Sequence, residues 1–223
     1  MTESPAIAAF FDVDGTLTRT TVLHPLVWYQ KARLPWWRFV FWFAGLCLDV
    51  PGYVLTDRRS RTEFTRRFYR RYAGLRAEEV ARFHRETLAS TYLPRMFRGA
   101  QERLDWHRQQ RHRIILVSGG LDLTLEPLAQ YLQADHLICA RLQQRDGILT
   151  GELDGPPMVD EEKANALRRC ADIDLKRSFA YADSISDLPM LRAVGNPAAV
   201  NPDGRLRTVA EREHWPIYQW HAP

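Results

Sequence analysis

Three short apolar runs, Ala6–Val13 (AIAAFFDV), Arg113–Val117 (RIILV) and Ser178–Ala182 (SFAYA), each lead directly into polar residues. Asp12 and Asp14 close the first, Ser118-Gly119-Gly120 follows the second, and Asp183 follows the third. Near-continuous apolar runs of this length read as strands buried on both faces of a parallel sheet. An open parallel sheet carries its chemistry beyond the carboxyl ends of its strands. Between and after these runs the pattern turns helical, over Ala100–Gln110, Leu121–Leu132, Glu161–Ala171 and Leu188–Ala193. Strands alternating with helices predict an α/β fold with a doubly wound, Rossmann-like parallel sheet. Leu137–Leu142 and Ala198–Val200 are further strand candidates, and Asp146-Gly147 marks the turn of a hairpin over Arg141–Leu153.

Residues 19–93 break this rhythm, because they look helical throughout and contain no buried strand. With 223 residues the chain has room for one ordinary domain and a smaller inserted one. The expected division is a core from residues 1–18 and 94–223, with a helical cap from residues 19–93 inserted after the first strand. Inside the cap, Trp36–Leu48 (WWRFVFWFAGLCL) is strongly apolar and aromatic, but it is shorter than the ~20 residues of a membrane span and is closed by Asp49 and Pro51. It is expected to be a buried cap helix, with an interfacial helix as the second reading.

The segment Asp57–Arg71 holds seven arginines against Asp57 and Glu63, which fits a solvated helix face or a contact with phosphate, an anionic membrane surface or nucleic acid. Nucleic acid is the weakest of these, since no aromatic-interleaved strands accompany the run. Cys47, Cys139 and Cys170 are too few and too widely spaced for a disulfide framework or a zinc site. The start, Met1–Ala9, lacks the basic and apolar regions of a signal peptide. A cytoplasmic protein is expected, with peripheral contact at a membrane surface through the cap as an added option.

The chemistry concentrates in Asp12-Val13-Asp14-Gly15-Thr16. Two carboxylates two residues apart at a strand end can turn into one pocket once Gly15 lets the chain leave the sheet. Crowded carboxylates need a cation or a shared proton. Magnesium is a hard ion that takes oxygen ligands and accepts phosphate in its shell, so it meets that need. Ser118 with the amides of Gly119 and Gly120 offers a cradle for phosphate oxygens before a helix. Lys163 could bring a point charge to a phosphoryl group. Asp183 is placed to ligate a metal, and Asp187 to orient its neighbours or to cap the helix that opens at Leu188.

These four segments, in this order and spacing, resemble the haloacid dehalogenase superfamily of phosphatases, particularly its phosphoserine-phosphatase-like branch. The resemblance rests on D-x-D-G-T, S-G-G, K and D-x-x-x-D and covers about two thirds of the chain. It implies a Mg2+-dependent phosphomonoester hydrolase in which Asp12 attacks phosphorus and forms an aspartyl-phosphate. Asp14 then protonates the leaving alkoxide and activates water. Asp12, the Asp14 carbonyl and Asp183 hold the metal, while Thr16, Ser118, Gly119 and Lys163 bind the phosphoryl oxygens. The acid at Asp14 sets the chain apart from the superfamily's dehalogenases and ion-pumping ATPases, but not from its phosphomutases. A catalytically weak protein that docks its cap on a membrane is the reading from a different class.

Phosphoserine phosphatases usually carry a glutamate nine residues after the nucleophile to receive the substrate ammonium; here that position is Thr21. The tryptophans and arginines of the cap suit either a small phosphate or an amphiphilic one such as a lipid phosphate. His24, His84, His107, His112, His136, His214 and His221 show no metal-ligand spacing and are given no role.

Overall fold

The computed structural model describes residues 5–221. Its centre is a six-stranded sheet whose members run β1 (Ala8–Phe11), β2 (Arg113–Leu121), β3 (His136–Ala140), β6 (Phe179–Ala182), β7 (Asn196–Val200) and β8 (Ile217–Tyr218). All neighbours pair in parallel, in the order β3-β2-β1-β6-β7-β8. The chain lays strands outward from β1 on one side, returns to the middle, and lays the rest on the other. That is the doubly wound arrangement, and its switch point falls between β1 and β6.

The period of two along each strand divides the core. In β1, Ala9 and Phe11 point to one face with Ile114, Leu116 and Tyr181, while Ala8 and Phe10 point to the other with Ile115, Val117, Ala180 and Ala182. The first face is covered by α5 (Arg98–Gln109) and α6 (Asp122–Tyr131) through Leu104, Leu125 and Leu128. The second is covered by α7 (Glu161–Arg168), α8 (Leu188–Arg192) and α9 (Gly204–Arg212) through Leu167, Leu191 and Leu206. Phe10 and Phe11 are completely buried, worth roughly 2–3 kcal/mol each. The closing segment from Trp215 supplies both β8 as an edge strand and Trp220 as a buried plug.

Between β1 and β2 the chain runs through α1 (His24–Arg33), α2 (Trp36–Arg59), α3 (Arg61–Tyr69) and α4 (Ala77–Thr87). Their shared core contains Leu26, Tyr29, Leu46, Tyr53, Phe68, Tyr69 and Val80. A hairpin of β4 (Leu142–Arg145) and β5 (Ile148–Leu153) closes this cluster through Leu142 and Leu149, and the backbone of residues 74–77 hydrogen-bonds to its turn and second strand. Asp146 and Gly147 at its tip both take positive φ, 49° and 77°, which is what the Asp-Gly pair demands of a tight hairpin. The hairpin belongs by sequence to the later part of the chain but packs on the helices inserted before it.

Helix α2 departs from expectation in two ways. It does not stop at Asp49 and Pro51 but runs 24 residues. Pro51 removes one backbone hydrogen bond and crowds the preceding turn, which costs about 3 kcal/mol. Leu46 and Tyr53, buried on either side of it, hold the helix continuous. Asp49 finds Arg71 as a partner, so its charge does not end the helix either. Nor is the helix buried: Trp36, Phe41 and Leu48 are 79, 74 and 83% exposed. Trp28, by contrast, is packed, edge-on to Tyr92 and under the Arg95 guanidinium.

His84 on α4 is wholly buried with no hydrogen-bond partner for either ring nitrogen, and burial lowers its pKa to about 4. A histidine whose folded pKa lies below its unfolded value of ~6.5 contributes stability that is present above that value and lost as pH falls towards 4, up to about 3 kcal/mol. Urea midpoints measured from pH 7 to pH 4 are expected to fall less steeply for His84→Leu than for the wild type.

Candidate active site

The acids lie at the switch point. Asp12 follows β1 directly and donates its backbone N–H to the Tyr181 carbonyl on β6, 3.0 Å away. Asp183 follows β6, and its carbonyl accepts from the Asp203 amide at 2.8 Å. The Asp203 carboxylate accepts from the amides of Ile185 and Leu206, both at 2.8 Å, so it ties the loop after β6 to the start of α9. Gly15 has φ +88°, and a side chain there would overlap the Asp183 carboxylate. Glycine is therefore required twice over, by the backbone conformation and by space.

Lys163 sits in the first turn of α7, buried, with its Nζ 2.6 Å from Asp12 Oδ1 and 2.7 Å from Asp187 Oδ1. Burial disfavours its charge, but the two carboxylates outweigh that and raise its pKa, so the ammonium stays charged. The Asp187 carboxylate goes to this lysine and makes no cap bond to α8. Of the two roles expected for it, orienting a neighbour is the one its contacts show.

Asp12, Asp183 and Asp187 each offer an oxygen within 4.8 Å of the others. Burial raises the pKa of Asp12 well above the carboxylate range, and burial with the nearby Asp187 charge pushes Asp183 up to about 7. One lysine cannot compensate three carboxylates, two of them buried and Asp183 half-buried, so the donor set is short of positive charge. Oxygen-only ligands around a charge deficit fit a hard divalent cation such as magnesium. The Asp14 carboxylate is not among the three; Thr20 Oγ1 donates to it, and Thr20 in turn is 2.6 Å from Thr18 Oγ1. Burial raises the Asp14 pKa, opposed by that hydrogen bond. A carboxyl held partly towards its protonated form is suited to giving a proton.

The Ser118 hydroxyl accepts from the Gly120 amide at 3.0 Å, and Tyr69 of α3 donates to the Gly119 carbonyl. Residues 118–120 still belong to β2, and the helix starts only at Asp122. Thr16 is placed differently from expectation: it is completely buried, and its hydroxyl donates to Asp183 Oδ1 at 3.2 Å. It steadies that carboxylate and does not open to the pocket.

The pocket, about 360 Å3, is reached by Asp12, Asp14, Ser118, Gly119, Lys163, Asp183 and Asp187, so seven of the expected site residues line one space. The wall facing them includes Thr20, Thr21 and Val22 and Arg61, Phe64 and Thr65 of α3, with Ser184, Ser186 and Asp203 on the core side. A larger groove of about 1080 Å3 beside Trp106, Tyr218 and Trp220 contains none of the strand-end acids. Thr20, Tyr69 and Asp203 escape sequence reasoning, whereas Arg61 lies in the arginine run read there as able to contact phosphate. Thr18 and Thr20 alternate along the segment leaving the Asp12–Thr16 loop, which is the one local sign available for Thr20.

Comparison with known proteins gives a family match over residues 9–192 to the haloacid dehalogenase-like hydrolases. The "Inhibition of morphological differentiation protein" of Streptomyces azureus is 31% identical, over 98% of this chain and 80% of that protein. A probable phosphatase of Mycobacterium tuberculosis is also 31% identical, over 97% of this chain and 76% of its own. A substrate-bound phosphoserine phosphatase structure superposes with a TM-score of 0.71 at 19% identity, over 97% of this chain and 94% of that one, a likeness of fold.

Proposed function

The chain belongs to the haloacid dehalogenase-like hydrolases, and we propose that within them it is a magnesium-dependent phosphomonoester hydrolase working through an aspartyl-phosphate on Asp12. The observation that carries this reading is the buried Asp12–Lys163–Asp187 bridge with Asp183 beside it, at the sheet's switch point. Asp12 and Asp183, with the Asp14 carbonyl and Asp187 adjacent, would hold the cation. When bound, magnesium would supply the positive charge that lets a phosphate dianion enter a ring of carboxylates.

Lys163 fixes one oxygen of Asp12 and leaves the other free to attack phosphorus. A carboxylate–phosphorus bond forms as the ester oxygen departs, and Asp14 gives that oxygen its proton. Water then delivers a proton to Asp14 and its oxygen to phosphorus, which releases inorganic phosphate and restores Asp12. Ser118, the Gly119 amide and Lys163 hold the phosphoryl oxygens, so most of the rate comes from positioning and charge. Closure of the helical cap over the pocket would exclude stray water while the intermediate lasts.

The pocket wall also bears on the substrate. Where phosphoserine phosphatases are expected to place a carboxylate, this wall has Thr21 and Val22, with Arg61 and Phe64 close by. Thr21 offers no charge to receive an ammonium group, and Val22 and Phe64 offer apolar contact. We infer a phosphomonoester with no amine beside its phosphate, small or amphiphilic. The test is release of inorganic phosphate from a panel of phosphoserine, sugar phosphates, nucleotides and lipid phosphates. Release is expected with magnesium, to be lost with EDTA, and to be poorest for phosphoserine. Transfer of the phosphoryl group to an added alcohol with no free phosphate would make the protein a phosphotransferase instead.

A further inference from the structure

On a 3.6-residue wheel, Leu46 and Tyr53 of α2 point into the helical cluster, with Trp42 beside them half-buried. The opposite side of α2 is the wrong way out for a helix in water. Trp36, Trp37, Phe41, Phe43, Leu48 and Leu55 are all exposed, and they form one apolar face over about five turns. Between Trp36 and Asp57 the helix is long enough and apolar enough to cross a bilayer, and among the described residues it is the one helix that is.

Its connections forbid a crossing. A single pass would leave α1 and α3 on opposite sides of ~30 Å of hydrocarbon. Yet Leu26 and Tyr29 of α1 and Phe68 and Tyr69 of α3 are buried in one cluster on one body. A helix tied down at both ends can present its outer face to a bilayer only by lying in the surface.

The rim of the face says what kind of surface. Lys31, Arg33 and Arg38 are exposed at the amino end of α2, with the Arg38 guanidinium over the Trp37 ring at 4.9 Å. Arg59 is exposed at the carboxyl end, and Arg66 and Arg67 are exposed on α3, with the Arg67 guanidinium over the Tyr53 ring at 5.3 Å. The nearby acids Asp49 and Asp57 are taken up by Arg71 and Arg61, and the exposed Glu63 is outnumbered by these cations, which leaves the rim positive. Tryptophans between an apolar face and cationic groups match the layer where acyl chains meet anionic headgroups, and each basic side chain there adds about 1 kcal/mol.

We propose that α2 is an interfacial anchor that docks this protein, lying flat, on an anionic lipid bilayer. The docked end is continuous with the catalytic pocket: Asp57, Arg59, Ser60 and Arg61 line a groove that shares Arg61, Ser184, Ser186 and Asp203 with the active-site cavity. Docking requires no turnover and stands whether or not the hydrolase reading does.

The experiment is co-sedimentation of the whole protein with phosphatidylcholine vesicles, with and without phosphatidylglycerol. The partners in the assay are the triple variant Trp36→Gln/Phe41→Gln/Leu48→Gln and the charge variant Arg38→Gln/Arg59→Gln. Thermal unfolding checks each variant's fold, and all five positions are on the surface. The wild type is expected to bind the anionic vesicles about tenfold more tightly than the neutral ones, and the triple variant to lose at least about tenfold. The charge variant, which removes two of the six rim cations, should weaken the preference for anionic lipid. A wild type left in the supernatant with both vesicles overturns the proposal, as does a triple variant that binds undiminished. A wild-type dimer that the triple variant breaks, without vesicle binding, would mean that a second copy covers the face.

Discussion

Replacing Asp12 by Asn is expected to lower phosphate release by at least about a thousandfold while the protein remains folded. The amide has the shape of the carboxylate but no electron pair of comparable nucleophilicity, so the covalent step has no substitute within the pocket. Stability should survive because Lys163 keeps Asp187 as its counter-ion at 2.7 Å. The substitution also removes one of the three carboxylates that crowd the site. The check is a pair of measurements on one preparation: turnover of the best substrate, and thermal unfolding. Retained turnover in Asp12→Asn would remove the nucleophile assignment; lost turnover together with a lost fold would leave Asp12 a structural residue.

Lys163→Met is expected to act on both quantities. The lysine lies between two buried carboxylates, and taking away one partner of such a group leaves uncompensated charge, usually about 3–5 kcal/mol. Metal-free Lys163→Met should therefore unfold at distinctly lower urea than the wild type. Added magnesium should recover part of the loss, because a cation among Asp12, Asp183 and Asp187 offsets the same charge. Activity should drop by about a hundredfold or more even with magnesium saturating, since the attacking carboxylate loses the group that orients it. Adding Asp187→Asn to the variant should restore stability without restoring turnover. Equal stability of Lys163→Met and wild type, without metal, would argue that the bridge contributes nothing to the fold.

The sheet was legible because buried parallel strands betray themselves as unbroken apolar runs, and each of the three main runs ends in its polar residues. Asp12, Asp14, Ser118, Lys163 and Asp183 could be gathered from those ends even though up to 171 positions separate them. Thr20 and Asp203 could not, because a threonine in a loop and an aspartate before a helix are ordinary until their hydrogen-bond partners are known. Thr16 was misplaced for a related reason: a hydroxyl so close to Asp12 and Asp14 has two directions open to it, and only the fold shows that Asp183 takes it. Helix α2 was misjudged most. Charged residues and proline inside an apolar stretch are usually its end, and sequence alone does not reveal that Arg71 would receive Asp49 or that Tyr53 would anchor the turn after Pro51.

The order of the sheet also has a consequence for how the chain is made. β1 leaves the ribosome first but occupies the middle of the sheet, with β2 on one side and β6 on the other. Its second neighbour is not complete until residue 182, so until then one edge of Ala8–Phe11, four residues with no solvent exposure in the finished fold, has nothing to pair with. An unpaired apolar edge is a template for the wrong strand. The early helices and the hairpin can gather into their own cluster while this edge waits, and the nascent protein thus carries its greatest risk of misassembly at the strand that leads into Asp12.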